Sequence, residues 1–264
     1  MPKIYSLIII LILMAAGVGG FFIWRDLPVR QAGNLENESP SAEGNSAPPG
    51  SSKPGFETAQ KPGFFPPGGF ESGELETLAK QSLDRKIPAG DEAVAKELSD
   101  LSLELSREPN YLQGWLQVGV LRKFLKDYEG ASLAWQYASV LRPEDHIALN
   151  NLGDLYHYYL KDFAKAEKYM RQAISAKPDF IPGYKNLHDL YVFSYKEKAD
   201  LADDILLEGI RKNPNDYYLR VILASYYKDQ GDKTNARKYY EEALTLNPPN
   251  KDSILQELAG FDKE

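Results

Sequence analysis

His146, His157 and His188 are the only imidazoles in a chain of 264 residues, so any metal or acid–base chemistry at neutral pH would turn on them. Asp154 and His157 stand one helical turn apart and Asp189 can approach from a neighbouring segment, a geometry compatible with a weak metal site. No second ligand pair has metal spacing, and His188 falls at a packing position of the pattern described below. The chain has no cysteine, which removes disulfides, thiolate ligands, a cysteine nucleophile and a lipid-modified amino-terminal cysteine. It also has no Gly-rich phosphate loop, serine elbow or carboxylate pair in a recognisable setting. The expectation is a chain that is not an enzyme and takes no cofactor, with a metal-dependent enzyme as the remote alternative. A formal charge of -7 without a Lys/Arg-rich run leaves no electrostatic footprint for nucleic acid.

The elements that position such side chains are written four times. "ASLAWQYASVLRPED" starts at Ala131, "AEKYMRQAISAKPDF" at Ala166, "ADDILLEGIRKNPND" at Ala202 and "ARKYYEEALTLNPPN" at Ala236, at spacings of 35, 36 and 34 residues. Each has apolar residues three and four apart and then a proline that stops the helix. A second helical pattern precedes each. Gly119 and Gly153 are flanked by Trp115 and Val118, and by Leu149, Leu152 and Tyr156, at helical spacing. Small residues on both helices (these glycines, with Ala131, Ala138, Ala166, Ala173, Ala236 and Ala243) permit close approach around the bulky Trp135, Met170, Leu206 and Tyr240. Asp127, Asp162 and Asp232 each stand four residues before the repeat's alanine, where a carboxylate caps the second helix for about 1 kcal/mol. The third unit has Lys198 there and two extra residues, so a longer or shifted turn is expected at that corner.

These residues resemble the tetratricopeptide repeat, whose pattern is W-x2-L-G-x2-Y, A-x3-F, then P over about 34 residues. The first unit supplies Trp115, Val118, Gly119, Ala131, Trp135, Ala138 and Pro143, with Arg122 in place of the tyrosine. The second supplies Leu149, Leu152, Gly153, Tyr156, Ala166, Met170, Ala173 and Pro178. In the third, Tyr184, Leu187 and Tyr191 fit, while His188 replaces the glycine and Gly209 the second alanine. The fourth fits through Leu223, Ala224, Tyr227, Gly231, Ala236, Tyr240, Ala243 and Pro248. The resemblance implies an all-α, right-handed superhelical solenoid with four repeats at 112–145, 146–180, 181–216 and 217–250. Residues 73–111 are expected as a leading helical pair or degenerate repeat. Residues 251–264 are expected as a capping helix with Ile254, Leu255, Leu258 and Phe261 in a stripe.

By the same resemblance the functional surface is the concave groove formed by the first helix of each pair. It would be lined by Leu116, Val120, Lys123 and Phe124, then by Asn150, Asn151, Asp154, His157 and Tyr158. The later repeats would add Lys185, Asn186, Asp189, Phe193, Tyr218, Val221, Ser225 and Lys228. Asn side chains can hydrogen-bond an extended peptide, and the aromatic rings can hold apolar side chains. Co-chaperones of this family that grip carboxyl termini use a clamp of Lys and Asn. Here only Asn151 matches, with Leu116, Val120, Pro182 and Asn186 at the other positions, so that specificity is not expected.

Residues 1–30 read as a membrane anchor. "IYSLIIILILMAAGVGGFFIW", spanning about 4–24, holds 21 residues without a charge, against the roughly 20 needed to cross the hydrocarbon core. Cleavage near "AAGVGG" is the alternative, but "FFIW" continues the apolar run and favours an uncleaved anchor. Lys3 on one side faces Arg25 and Arg30 on the other, so positive charge does not set the orientation. A short tail and a long polar spacer suit an extracytoplasmic repeat domain. Residues 31–72 contain 20 Gly, Pro or Ser among 42 and read as a disordered linker with a span of roughly 35 to 40 Å.

The expected function is therefore a single-pass membrane protein that binds protein or peptide segments, membrane-associated or exported, and scaffolds a complex at the membrane surface. The alternative is a chaperone-like ancillary factor for exported polypeptides at the translocon. Oligomerisation through the repeat surface is a third reading.

Overall fold

The computed structural model describes residues 72–262, which form eleven α-helices and no strand. The apolar segment 4–24 and the linker up to residue 71 lie outside the described residues. Among the described residues no helix is long and apolar enough to cross a membrane.

Helices α1 (Ser72–Leu83) and α2 (Glu92–Arg107) lead the array. Then α3 (Leu112–Phe124) pairs with α4 (Tyr128–Leu141), and α5 (His146–Leu155) with α6 (Phe163–Ala176). Next, α7 (Ile181–Asp189) pairs with α8 (Ala202–Lys212), and α9 (Tyr218–Asp229) with α10 (Lys233–Thr245); α11 (Lys251–Phe261) follows. The second helix of each pair also packs on the first helix of the next, so an apolar core runs from α1 to α9, and a smaller one joins α9, α10 and α11.

Most helices bury one apolar stripe, whereas α3 and α4 are buried over most of their surface. Trp115, Trp135, Met170, Tyr184 and Leu206 are shut off from solvent between helices, and full burial of such a side chain contributes about 1.5–3 kcal/mol. Gly119 makes the close approach possible: a Cβ there would lie 2.1 Å from Trp135 Nε1. That nitrogen donates to the Leu116 carbonyl at 3.1 Å. A polar stitch joins consecutive pairs: Trp115 Nε1 donates to the Pro109 carbonyl at 2.8 Å, and Tyr184 Oη to the Pro178 carbonyl at 2.9 Å. The terminal helix α11 covers the last pair with Ile254, Leu258 and Phe261 against Ala224, Tyr240 and Ala243. Leu255, expected in that stripe, stays 43% exposed.

The uneven repeat spacing is absorbed at the ends of the first helices. In the first and fourth repeats the Asp127 and Asp232 amides return to the Arg122 and Tyr227 carbonyls, both at 2.8 Å. The second repeat has one more residue between the matching positions. A π-helical turn, Tyr156–Leu160, takes it up, and the Asp162 amide reaches back to the Tyr156 carbonyl at 3.0 Å. The third repeat has two more, taken up by a π-helical turn at Leu190–Ser194 and a 3-10 turn at Lys196–Leu201. Asp127, Asp162 and Asp232 accept from the amides of Gly130, Lys165 and Asn235 at 3.0 to 3.1 Å, capping α4, α6 and α10. Lys198, at the third cap position, instead pairs with Glu167 of α6 at 2.5 Å, and α8 has no side-chain cap.

The leading pair departs from the expected arrangement, in which α1 partners α2. Helix α1 packs more against α4 than against α2. The reason lies at Arg122, which is fully buried. Its Nη1 donates to Asp127 at 2.7 Å, and its Nη2 to the Ser82 and Arg85 carbonyls at 2.7 and 3.1 Å. Arg85 Nε donates to both Asp127 oxygens at 2.8 and 2.9 Å. The carboxylate that caps α4 thus also gathers the end of α1.

Candidate functional site

The site is built on α3, α5, α7 and α9, which the pairing places side by side as the first helices of consecutive repeats. Asp154 on α5 and Asp189 on α7 each stand two residues after a core leucine, Leu152 and Leu187, and so occupy matching positions one repeat apart. Asn186 on α7 reaches across to α5: its Nδ2 donates to Asn150 Oδ1 at 3.1 Å and to Asp154 Oδ1 at 3.2 Å. Asn150 Nδ2 donates to Asp154 Oδ2 at 3.5 Å. Lys185 pairs with Asp189 in its own helix. Burial pushes the Asp154 carboxyl up to about 6, against the pull of the Lys123 and Lys185 ammonium groups and the Asn150 hydrogen bond, with Asp189 adding repulsion.

The remaining expected residues lie on α3, the two π-helical turns and α9. Tyr158 is 49% exposed, and burial together with the nearby Asp154 and Asp189 carboxylates pushes its phenol up to about 12. Lys123 on α3 is half-buried, which lowers its pKa, and its ammonium lies 4.9 Å above the Tyr159 ring. Phe193, in the second π-helical turn, is 68% exposed, and Tyr218 opens α9 with its ring at the surface. Lys228 reaches the capping helix, pairing with Glu257 at 2.8 Å.

Several residues of the expected lining are shielded from solvent. Asn151 and Leu116 are buried, and Phe124 is half-buried against the core. His157 is 2% exposed; its Nε2 bonds Ser194 Oγ at 2.8 Å, and burial with the Lys161 charge brings its pKa down to about 4. His188 Nδ1 bonds the Ala202 carbonyl at 3.0 Å, so this ring at the glycine position ties α7 to the start of α8. The two imidazoles serve packing. Among the described residues no group of three His, Asp or Glu side chains is arranged to hold a metal ion.

Tyr159 is a surface residue that the repeat pattern does not single out. It is 42% exposed and packs 4.7 Å from the Tyr128 ring while receiving Lys123 on its face. The signal for it was the 35-residue spacing, since the extra residue falls in its turn.

Comparison with known proteins agrees on the repeat. A family model described as tetratricopeptide repeat matches residues 147–180 and 217–250. Tetratricopeptide repeats are recognised at these two stretches, and the described part is all-helical, with its helices packed in consecutive pairs. Protein IFIT1 homolog B of Homo sapiens is 33% identical over 92 residues, which cover 32% of this chain and 19% of that protein. The chain thus spans about a fifth of that relative's length. Among solved structures, pilF of Pseudomonas aeruginosa has a TM-score of 0.48 at 16% identity, over 72% of this chain and 86% of its own. YrrB, described as a TPR protein with an unusual peptide-binding site, has a TM-score of 0.45 at 13% identity, over 62% of this chain and 83% of its own.

Proposed function

We propose that this chain is a protein-interaction module that holds an extended segment of a partner in the groove of its first helices. The observation that carries the reading is the joining of Asn150, Asp154 and Asn186 across two repeats, with the exposed Tyr158 ring close to Asp154. A surface of ordered polar groups flanked by an uncovered aromatic ring is suited to an extended peptide, whose backbone needs polar partners and whose side chains need apolar ones. A buried core or a purely solvated helix face would not combine the two.

The apolar segment 4–24 supports a membrane anchor, and the 31–72 linker a tether from which the repeats work outside the cytoplasm. Tethering raises the effective concentration of the groove for partners in the same membrane. The role that follows is a scaffold for a complex assembled at the membrane surface.

Photo-crosslinking from position 193 or 158 of the full chain in intact membranes, with mass spectrometry of the products, tests the reading. One dominant protein, lost when Asn150 and Asn186 are both replaced by alanine, is expected. Products unchanged by that double substitution would remove the groove from the account. Protease digestion of the linker in sealed cells separates the two orientations.

A further inference from the structure

We propose that the centre of the groove reads a positively charged side chain of the bound segment, with the Asp154 carboxylate as its counter-ion and the Tyr158 ring as its flank. This rests on the groove reading above and adds to it the chemistry of the partner.

The argument begins with how Asp154 is held. Its two oxygens receive amide hydrogens from Asn150 and Asn186, on two different helices. Amide donors fix a carboxylate in direction without cancelling its charge, whereas a lysine or arginine partner does both. Lysines stand close by. Lys185, on the helix that supplies Asn186, pairs with Asp189, and the Lys123 ammonium rests over the Tyr159 ring. Among the described residues no cation comes within ion-pair distance of Asp154. The Lys123 and Lys185 ammonium groups act on this carboxylate through space without pairing with it, so a direct counter-ion can come only from outside the chain.

Its surroundings favour a cation as that something. Half-burial leaves the carboxylate poorly hydrated, which is why its proton is held up to about 6, and a positive group brought against it would replace the missing water. The Tyr158 ring is about half exposed and its hydroxyl lies under the influence of both Asp154 and Asp189. A lysine or arginine side chain can lay its methylenes or its charge on such a face while its polar end meets the acid. An acidic side chain entering the same place would meet the Asp154 and Asp189 carboxylates, while the Lys185 and Lys123 ammonium groups are already engaged with Asp189 and the Tyr159 ring.

The test selects random dodecapeptides displayed on phage with the full-length chain in mild detergent at neutral pH. Affinities are then measured by fluorescence anisotropy for a selected peptide and for its copies with norleucine in place of each Lys or Arg. The expected result is a required basic side chain, whose loss weakens binding about ten-fold. Asp154→Asn should weaken the basic peptide by about the same factor and leave the norleucine copy unaffected. Tyr158→Ala, at a half-exposed position, should give a smaller loss with the same selectivity, and serves should Asp154→Asn fail to fold. Selected peptides that need no basic side chain, or that bind Asp154→Asn equally well, overturn this inference while the groove stands. An acidic consensus dependent on Lys123 does the same. If no peptide is selected, or binding survives replacement of Asn150, Asn186 and Phe193, the groove reading fails and takes the inference with it.

Discussion

Arg122 donates to Asp127 at 2.7 Å with its guanidinium wholly buried, at the position where the next three repeats carry Tyr156, Tyr191 and Tyr227. A tyrosine there would fill volume; the arginine also binds the Ser82 and Arg85 carbonyls that end α1. Truncation leaves buried acceptors and part of a buried carboxylate without donors, so Arg122→Ala is expected to cost about 3–5 kcal/mol in urea unfolding of the full chain. Lys96→Ala, which breaks the exposed pair with Asp100, should shift the midpoint negligibly. Equal midpoints for the two variants would show that the polar junction holds nothing.

Gly119 and Trp135 make a second pair whose geometry fixes an outcome. A methyl at 119 would overlap the indole nitrogen at 2.1 Å, and neither helix can retreat without opening the core on its other side. Gly119→Ala is expected to lose about 1–3 kcal/mol. Gly260 in α11 has nothing within 4 Å of an added methyl, so Gly260→Ala should be neutral or gain up to about 1 kcal/mol from helix propensity. Reversed signs in thermal denaturation would contradict the packing.

The residue before each capping aspartate turns left-handed. Gly231 does so at φ 78°, but Lys126 and Lys161 adopt φ of 62° and 57° with a side chain in place. Glycine carries no Cβ penalty there, so Lys126→Gly is expected to raise stability by about 0.5–1 kcal/mol, and Gly231→Ala to lower it by about 1 kcal/mol. A fall in the urea midpoint of Lys126→Gly would mean that Lys126 makes contacts outweighing its backbone strain.

The helix pairs, the packing glycines and the aspartate caps were legible because each depends on residues a few positions apart. The displaced α1 was not, since Arg122 reads as a lapse in the motif until Ser82, forty residues earlier, supplies the carbonyl it binds. Position along the motif likewise marks Asn151 and His157 as groove residues. The π-helical turn and the Ser194 contact place His157 in the interior, and the turn leaves Tyr159 on the surface beside Lys123. Asn150, Asp154 and Asn186 were visible as polar groups on first helices. Their bonding to one another was hidden, because it depends on how far α7 has shifted along α5, which side-chain packing decides.

His157 and Asp154 titrate in opposite senses, and that gives a pH signature. The His157 imidazole is held near 4 by burial, below its unfolded value of 6.5, so the native state binds fewer protons in that window. Its contribution is complete above about 6.5 and is lost as pH falls through 4, on the order of 3 kcal/mol in all. Asp154 is raised from 3.8 to about 6, so its contribution is present below 3.8 and is lost as pH rises through 6. Between about pH 4 and pH 6 the two slopes oppose each other and flatten the profile of the native chain. Asp154→Asn removes the compensating slope, and its stability should fall faster on acidification than that of the parent chain. His157→Gln should instead become relatively more stable as the pH drops. Urea unfolding of the three proteins at about pH 4, 5 and 7 measures this, and parallel curves would show that neither group changes its proton affinity on folding.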